Sequence, residues 1–373
     1  MNYFVLLTDR CNLNCSYCRG RAFESDARGM LEWGEIDEDL PSDLDYDIAL
    51  LYRFLARDPA AAVTFYGGEP LMRADLVERI TKEAPVRRFM LHTNGLLLDR
   101  LPFDVLERID TISVSVDGDE EQTDDHRGHG TFRKVMENLC WLMRKGYRGE
   151  VIARMTVPIG ADIERGVSYL SENSEYRFDS IHWQLDAGFA TGVDIGRFRE
   201  WIDHSYNPGI RLLVRRWVKR IAEECRVPRW YPFIATMHDL LEGRPSRLRC
   251  GCGHESYSIM TGGAITPCPI MVGLKSMYLG HISTTDPSSL PRMEARGVCR
   301  TCNIHDFCGG RCLYAHIMAL WSEEERGIIC GTVEHLRRCM LEEMPRLRRL
   351  IDGGLLCLQD LDFQRYNGCE IIP

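Results

Sequence analysis

Tyr3-Phe4-Val5-Leu6-Leu7 is followed, three residues on, by Cys11-Asn12-Leu13-Asn14-Cys15-Ser16-Tyr17-Cys18. The apolar run reads as a short buried strand. The loop after it carries three cysteines in a C-x3-C-x2-C spacing. Three thiolates are an odd number. A disulfide framework wants an even count and a closed zinc site wants four ligands. An iron-sulfur cubane normally takes four thiolates, so one held by three leaves an iron free for another ligand. The loop therefore reads as a cluster site with an open coordination position; a zinc knuckle or three buried thiols is the alternative.

The chain of 373 residues is long enough for two or three domains. It is 45% hydrophobic and 27% charged, which suits a globular protein with a sizeable core. With a formal charge of -9 and both signs mixed along the sequence, nothing predicts a nucleic-acid surface. The first residues lack a basic n-region and a cleavage site, and no apolar run reaches the roughly 18 residues of a membrane span. The expectation is a cytoplasmic protein with no membrane association. In a reducing compartment, sixteen cysteines read as metal ligands more readily than as disulfides.

Residues 19–43 are polar and acidic and read as a long surface excursion. Ile48, Leu51, Tyr52 and Leu55 then form a helical stripe. From there strands alternate with helices. Strands are expected at 62–66, 88–93, 111–116, 151–157 and 180–185. Helices are expected at 71–83, 103–109, 132–145, 163–172 and, as one long element, 195–224. With the opening strand this gives six strands alternating with helices, an α/β pattern with a parallel sheet. Pattern alone leaves an open sheet and a curved partial barrel equally possible. The alternation stops near Pro228, and from Cys250 the chain turns Gly-, Pro- and Cys-rich. A boundary is expected around residue 235, before a short helix at 235–241. The organisation read from this is 1–235, then 236–340, then a tail at 341–373 made of a helix and an arm packed on the body.

Gly67-Gly68-Glu69-Pro70 follows the second strand directly. Two glycines let the backbone approach a ligand, and the carboxylate can accept hydrogen bonds from an ammonium group; a plain turn before a helix is the alternative. Thr93-Asn94-Gly95 and Ser115-Val116-Asp117-Gly118 deliver small polar groups to two further strand ends, the edge where α/β proteins bind ligands. In the sixth strand, alternation places His182, Gln184 and Asp186 on one face. Asp186 is thus a candidate substrate contact or proton acceptor, with a salt bridge or helix cap as the alternative.

Together the three-cysteine loop and the GGEP stretch resemble the radical S-adenosylmethionine (SAM) enzymes. The resemblance implies a partial (β/α)6 TIM-like barrel, with Cys11, Cys15 and Cys18 holding a 4Fe-4S cluster whose open iron chelates the SAM amine and carboxylate. Tyr17 fits the aromatic usual before the third cysteine. By the same resemblance, Gly67, Gly68, Glu69 and Pro70 bind the SAM amino group, Ser115 and Asn94 meet the ribose region, and Arg127 pairs with the SAM carboxylate, a task suited to a bidentate guanidinium.

The later cysteines follow a second spacing. Cys252 precedes Gly263 and Cys268; then come Cys299-x2-Cys302-x5-Cys308-x3-Cys312 and, after a gap, Cys330. Two zinc ribbons are the alternative to what this run resembles, the SPASM extension, a Cys-rich domain of short strands and helices with two auxiliary 4Fe-4S clusters. The resemblance implies an outer cluster on Cys299, Cys302, Cys308 and Cys330. It implies an inner one on Cys312, Cys268 and the Cys250/Cys252 pair, fully ligated and suited to electron relay. Cys140 and Cys225 read as inert helix residues, and Cys339, Cys357 and Cys369 have no recognised partners.

SPASM members mostly modify ribosomally made peptides or proteins. The resemblance thus implies an anaerobic oxidoreductase that cleaves SAM to a 5'-deoxyadenosyl radical and oxidatively cross-links or desaturates a peptide or protein side chain. Its partners would be that peptide or protein, a reductant such as flavodoxin or ferredoxin, and a separate peptide-recognition protein, since no leader-binding domain precedes Cys11. Pro269 stands where the sulfatase-maturating branch places an acidic residue, which argues against formylglycine formation. Alternatives are oxidation or decarboxylation of a small molecule such as a haem precursor, and a non-catalytic iron-sulfur electron carrier.

Overall fold

The computed structural model describes residues 1–18, 36–187, 194–295 and 297–364. Most of the expected excursion at 19–43, the end of the tail and Cys369 lie outside the described residues. The chain divides into two compact units. The first comprises Met1–Val116, Thr123–Ile152 and Gly251–Glu294; the second comprises Asp117–Gln122, Ala153–Cys250 and Ala295–Pro373.

The first unit grows from β1 (Asn2–Thr8), every residue of which is buried. Buried on both faces, such a strand must be apolar throughout, and Tyr3 to Leu7 is. β1 pairs in parallel with β2 (Ala62–Gly67), which pairs in parallel with β3 (Arg88–Thr93), which pairs in parallel with β4 (Thr111–Ser115). The α/β expectation of a parallel sheet with intervening helices holds. The helix Ile48–Leu55 is capped by Asp47 and buries Ile48, Leu51, Phe54 and Leu55, with Phe54 edge-on to Tyr3 at 5.2 Å. On the other side of β1 lies a strand the sequence pattern does not show, β8 (Ser256–Ile259), also parallel. It leads through antiparallel β9 (Ala264–Thr266) to β10 (Gly280–His281).

In the second unit most of β5 (Glu150–Val157) is followed by β6 (Ser180–Leu185) and β7 (Arg229–Trp230), which pair in parallel. The core here is aromatic. Phe233 lies 4.9 Å from Trp183, 5.9 Å from Trp217 and 6.1 Å from Trp230, ring centre to ring centre. Its helix runs over Tyr231–Glu242, wider than the 235–241 expected, because Pro232 opens it in the first turn.

The expected helix over 195–224 is continuous but not uniform. A π-helical turn at Ile202–Tyr206 separates Ile195–Trp201 from Asn207–Glu224. Pro208 has no N–H to continue an α ladder, and the Asn207 amide reaches back to the Ile202 carbonyl, five residues away. The helix Glu323–Asp352 starts on a capping box of Ser322 and Glu325 and meets Asn207–Glu224, where Arg211 and Glu342 pair at 2.5 Å. The helix Glu120–Arg127 was not expected; its mean polarity hides any apolar stripe. Among the described residues no helix is long and apolar enough to cross a membrane.

Phe233→Ala removes the ring on which three tryptophans converge and should cost ~3–5 kcal/mol. Chemical denaturation followed by tryptophan fluorescence checks this.

Candidate active site

The C-terminal ends of β1, β2 and β3 converge on Glu69. Its carboxylate is fully buried. Oε1 accepts from the Leu71 amide at 3.0 Å and from the Thr93 hydroxyl at 2.8 Å, and Oε2 accepts from the Asn94 amide at 2.7 Å. A carboxylate has about four acceptor sites, so one stays open. Among the described residues no cation pairs with it. Burial pushes the Glu69 carboxyl up to about 6, against the lowering pull of its three donors. Thr93 and Asn94 are thus not just polar strand-end residues; they build the carboxylate's seat.

The two glycines explain how the strands come so close. The Gly68 amide donates to the Thr8 carbonyl at 2.9 Å and the Glu69 amide to the Arg10 carbonyl at 2.8 Å. A Cβ on Gly67, whose φ is +143°, would run into the Thr8 carbonyl oxygen, and one on Gly68 into those of Asp9 and Arg10. Pro70 opens the 3-10 turn Pro70–Arg73, for which Glu69 itself is the cap.

The three-cysteine loop is tied to this seat. Asn94 Nδ2 donates to Asn12 Oδ1 at 2.7 Å and lies 3.9 Å from Cys11 Sγ. The Ser16 amide donates to the His126 carbonyl, and Ser16 Oγ is 2.9 Å from His126 Nδ1. Next to His126, the buried Arg127 places its guanidinium 5.4 Å above the Tyr17 ring. Cys11 and Cys18 are exposed and Cys15 is half-buried. Burial raises the Cys11 thiol, and the negative charges of Glu69 and Cys18 raise it further. Ser115 ends β4 half-buried; Thr93 pairs with Val114, so Asn94 and Ser115 follow at neighbouring strand ends. The first unit therefore brings together Cys11, Cys15, Cys18, Tyr17, Gly67, Gly68, Glu69, Pro70, Asn94, Ser115 and Arg127. Ser16, His126 and Asn12, which sequence reasoning missed, lock the loop in place; only their nearness in space marks them.

Asp186 belongs to the second unit, just past β6, where its amide donates to the Val157 carbonyl at 2.9 Å. Of the later cysteines, Cys252 and Cys268 are buried in the first unit. Cys250, Cys299, Cys302, Cys308, Cys312 and Cys330 lie in the second. None of the fifteen described cysteines forms a disulfide. Burial pushes the Cys299 thiol up to about 11, helped by Cys308, Cys330 and Cys302 in that order. His316 Nε2 lies 3.4 Å from Cys299 Sγ and 2.7 Å from the Gly310 carbonyl. Among the described residues no three His, Cys, Asp or Glu side chains converge on a single-ion site. A cubane spreads its ligands over separate irons and does not require such convergence.

Residues 5–167 match the profile of the Radical SAM superfamily. The cysteine loop and the Glu69 seat both fall inside that matched stretch. In sequence it is 29% identical over 139 residues to a probable GTP 3',8-cyclase of Methanosarcina mazei, covering 36% of this chain and 39% of that one. A probable GTP 3',8-cyclase of Methanocella arvoryzae is 31% identical over 139 residues, covering 36% and 41%. These matches span about two-fifths of those relatives. In structure it is similar to anSMEcpe with bound AdoMet and Cp18Cys peptide, at a TM-score of 0.68 and 17% identity over 95% of this chain and 100% of that one. SuiB of Streptococcus suis bound to precursor peptide SuiA gives a TM-score of 0.52 at 14% identity, over 83% and 71%. The shared fold is the expected α/β partial barrel with a Cys-rich C-terminal part.

Gly68→Ala should cost ~1–3 kcal/mol, since its Cβ meets backbone that cannot yield. Gly327→Ala, on a helix with open space around it, should be neutral or stabilising by up to about 1 kcal/mol. Urea unfolding of the two variants side by side checks the contrast.

Proposed function

We propose that this chain is a radical SAM enzyme that oxidatively modifies a peptide or protein side chain. The observation that carries the reading is the Glu69 carboxylate: fully buried, held by three donors, with one acceptor site open and no cation paired with it among the described residues, beside the three-cysteine loop. A buried carboxylate in that state suits an ammonium group from a ligand. The donor set fits a cubane: three thiols on one loop, tied to the seat through Asn94.

When bound, the cluster supplies the electron that cleaves SAM to a 5'-deoxyadenosyl radical. Cys11, Cys15 and Cys18 would hold the cluster. Glu69 accepts from the SAM ammonium, and Gly67 and Gly68 admit the backbone close to it. Pro70 turns the chain away behind them. Arg127, steadied on Tyr17, pairs with the SAM carboxylate, while Asn94 and Ser115 meet the ribose. Cys299, Cys302, Cys308 and Cys330 would hold an auxiliary cluster, which would supply an electron acceptor there. Asp186 accepts a substrate proton at the end of β6. The division into 1–235, 236–340 and 341–373 is retained as a functional reading: SAM chemistry, auxiliary clusters, tail. A peptide partner is favoured because two structural neighbours were solved with peptides bound; flavodoxin or ferredoxin would supply electrons, and a separate protein would present the peptide. A small-molecule substrate is the second reading, favoured by the sequence similarity to GTP 3',8-cyclases.

Because Glu69 must be ionised to accept an ammonium, SAM affinity should rise with pH through about 6, the value to which burial moves the carboxyl. Glu69→Gln should weaken binding ~10–100-fold, the loss of a charge-assisted hydrogen bond, and flatten the profile. Equilibrium binding of SAM to anaerobic protein from pH 5 to pH 8 reads both.

Reconstituted protein with SAM and dithionite should release 5'-deoxyadenosine, and Cys15→Ala should not. Added to peptides encoded beside the gene, it should produce a mass loss of two hydrogens. No cleavage of SAM by iron-loaded protein would remove the enzyme reading; cleavage with no peptide ever modified would favour the small molecule.

A further inference from the structure

Arg311 stands between Gly310 and Cys312 in the Cys308-x3-Cys312 turn. It is only 4% exposed. Its Nε and both terminal nitrogens are buried with no hydrogen-bond partner among the described residues. Its one visible compensation is the Trp321 ring, 5.7 Å from the guanidinium carbon. A cation over an aromatic ring contributes about 2 kcal/mol when desolvated, whereas an unpaired buried charge costs several. The position was not chosen for an easy backbone either. Arg311 has a φ of +50° beside Gly309 and Gly310 at +67° and +88°, a left-handed conformation that costs a non-glycine residue roughly 1–2 kcal/mol. A fold that tolerates both penalties holds the guanidinium there for an anion.

The chemistry around it says which. Arg311 follows Cys308 by three residues and its amide lies 3.4 Å from the Cys308 carbonyl, and its charge also acts on Cys330. Four thiolates around a cubane give a net negative assembly whose sulfurs accept hydrogen bonds. The guanidinium offers five donors in a fixed fork.

We propose that the buried guanidinium of Arg311 is a hydrogen-bond donor and counter-charge to the auxiliary cluster on Cys299, Cys302, Cys308 and Cys330, and raises that cluster's reduction potential. The inference rests on the auxiliary-cluster reading given above. A fixed positive charge favours the reduced state because that state carries one more electron.

The test uses the full chain with Cys11→Ala, Cys15→Ala and Cys18→Ala, so that only auxiliary clusters are built, reconstituted anaerobically. Iron is counted, and EPR signals are followed through a redox titration. Arg311→Met should keep the iron but lower the reduced-to-oxidised ratio of one signal at least tenfold at fixed potential, ~59 mV for a one-electron couple, with the other signal unmoved. Arg311→Lys should stay near the parent. Full iron with both midpoints unmoved in Arg311→Met overturns the proposal, as does a shift of both signals together. If Arg311→Met loses iron, Arg311→Lys decides: retained iron and potential support a counter-charge, and equal loss in both variants overturns it. A parent that binds no iron sinks the auxiliary-cluster reading itself and this inference with it.

Discussion

A negative charge in a dry interior is the constraint around which the first unit is built. Glu69 sits where water does not reach, so each neighbouring element must lend it a donor: Leu71 from the 3-10 turn, Thr93 and Asn94 from the end of β3. Those donors hold the carboxylate in place without neutralising it. The close pairing of β1 with β2 at Gly67 and Gly68 then brings the cysteine loop alongside, and Asn94 serves both sides at once. Seat and loop are therefore one construction, and movement of either strand end disturbs both.

The second unit solves the opposite problem. Its clustered thiols are discouraged from ionising by burial and by one another, while the Arg311 guanidinium has no hydrogen-bond partner among the described residues. Positive iron and negative sulfur would relieve both at once. In each unit a buried charged group stands where a partner of opposite sign would offset the cost of its desolvation.

What could be read from the residues was whatever chemistry forces into fixed spacing. Cys11, Cys15 and Cys18 must share one loop, and GGEP must follow a strand, so both were visible, as were the strands that alternate with amphipathic helices. The missing parts depend on three-dimensional neighbourhood. β8 is four residues long, too short to stand out by pattern. Arg311 is one of 46 basic residues, distinguished only by being buried. Ser16 and His126 meet across 110 residues of sequence. The π turn before Asn207-Pro208 was legible in principle, since a proline inside a helical stripe removes an amide; the apolar periodicity on either side masked it.

The placement of β8 beside β1 also governs how the protein is made. β1 leaves the ribosome about 250 residues before its partner, since one of its two hydrogen-bonding edges is reserved for Ser256–Ile259. At synthesis rates of roughly 5–20 residues per second, that edge waits on the order of tens of seconds for its partner. Throughout that interval a strand apolar from Tyr3 to Leu7 presents unsatisfied amides and carbonyls along one edge. The first unit cannot be completed as the chain emerges; it must be kept from pairing wrongly until Ser256–Ile259 exists.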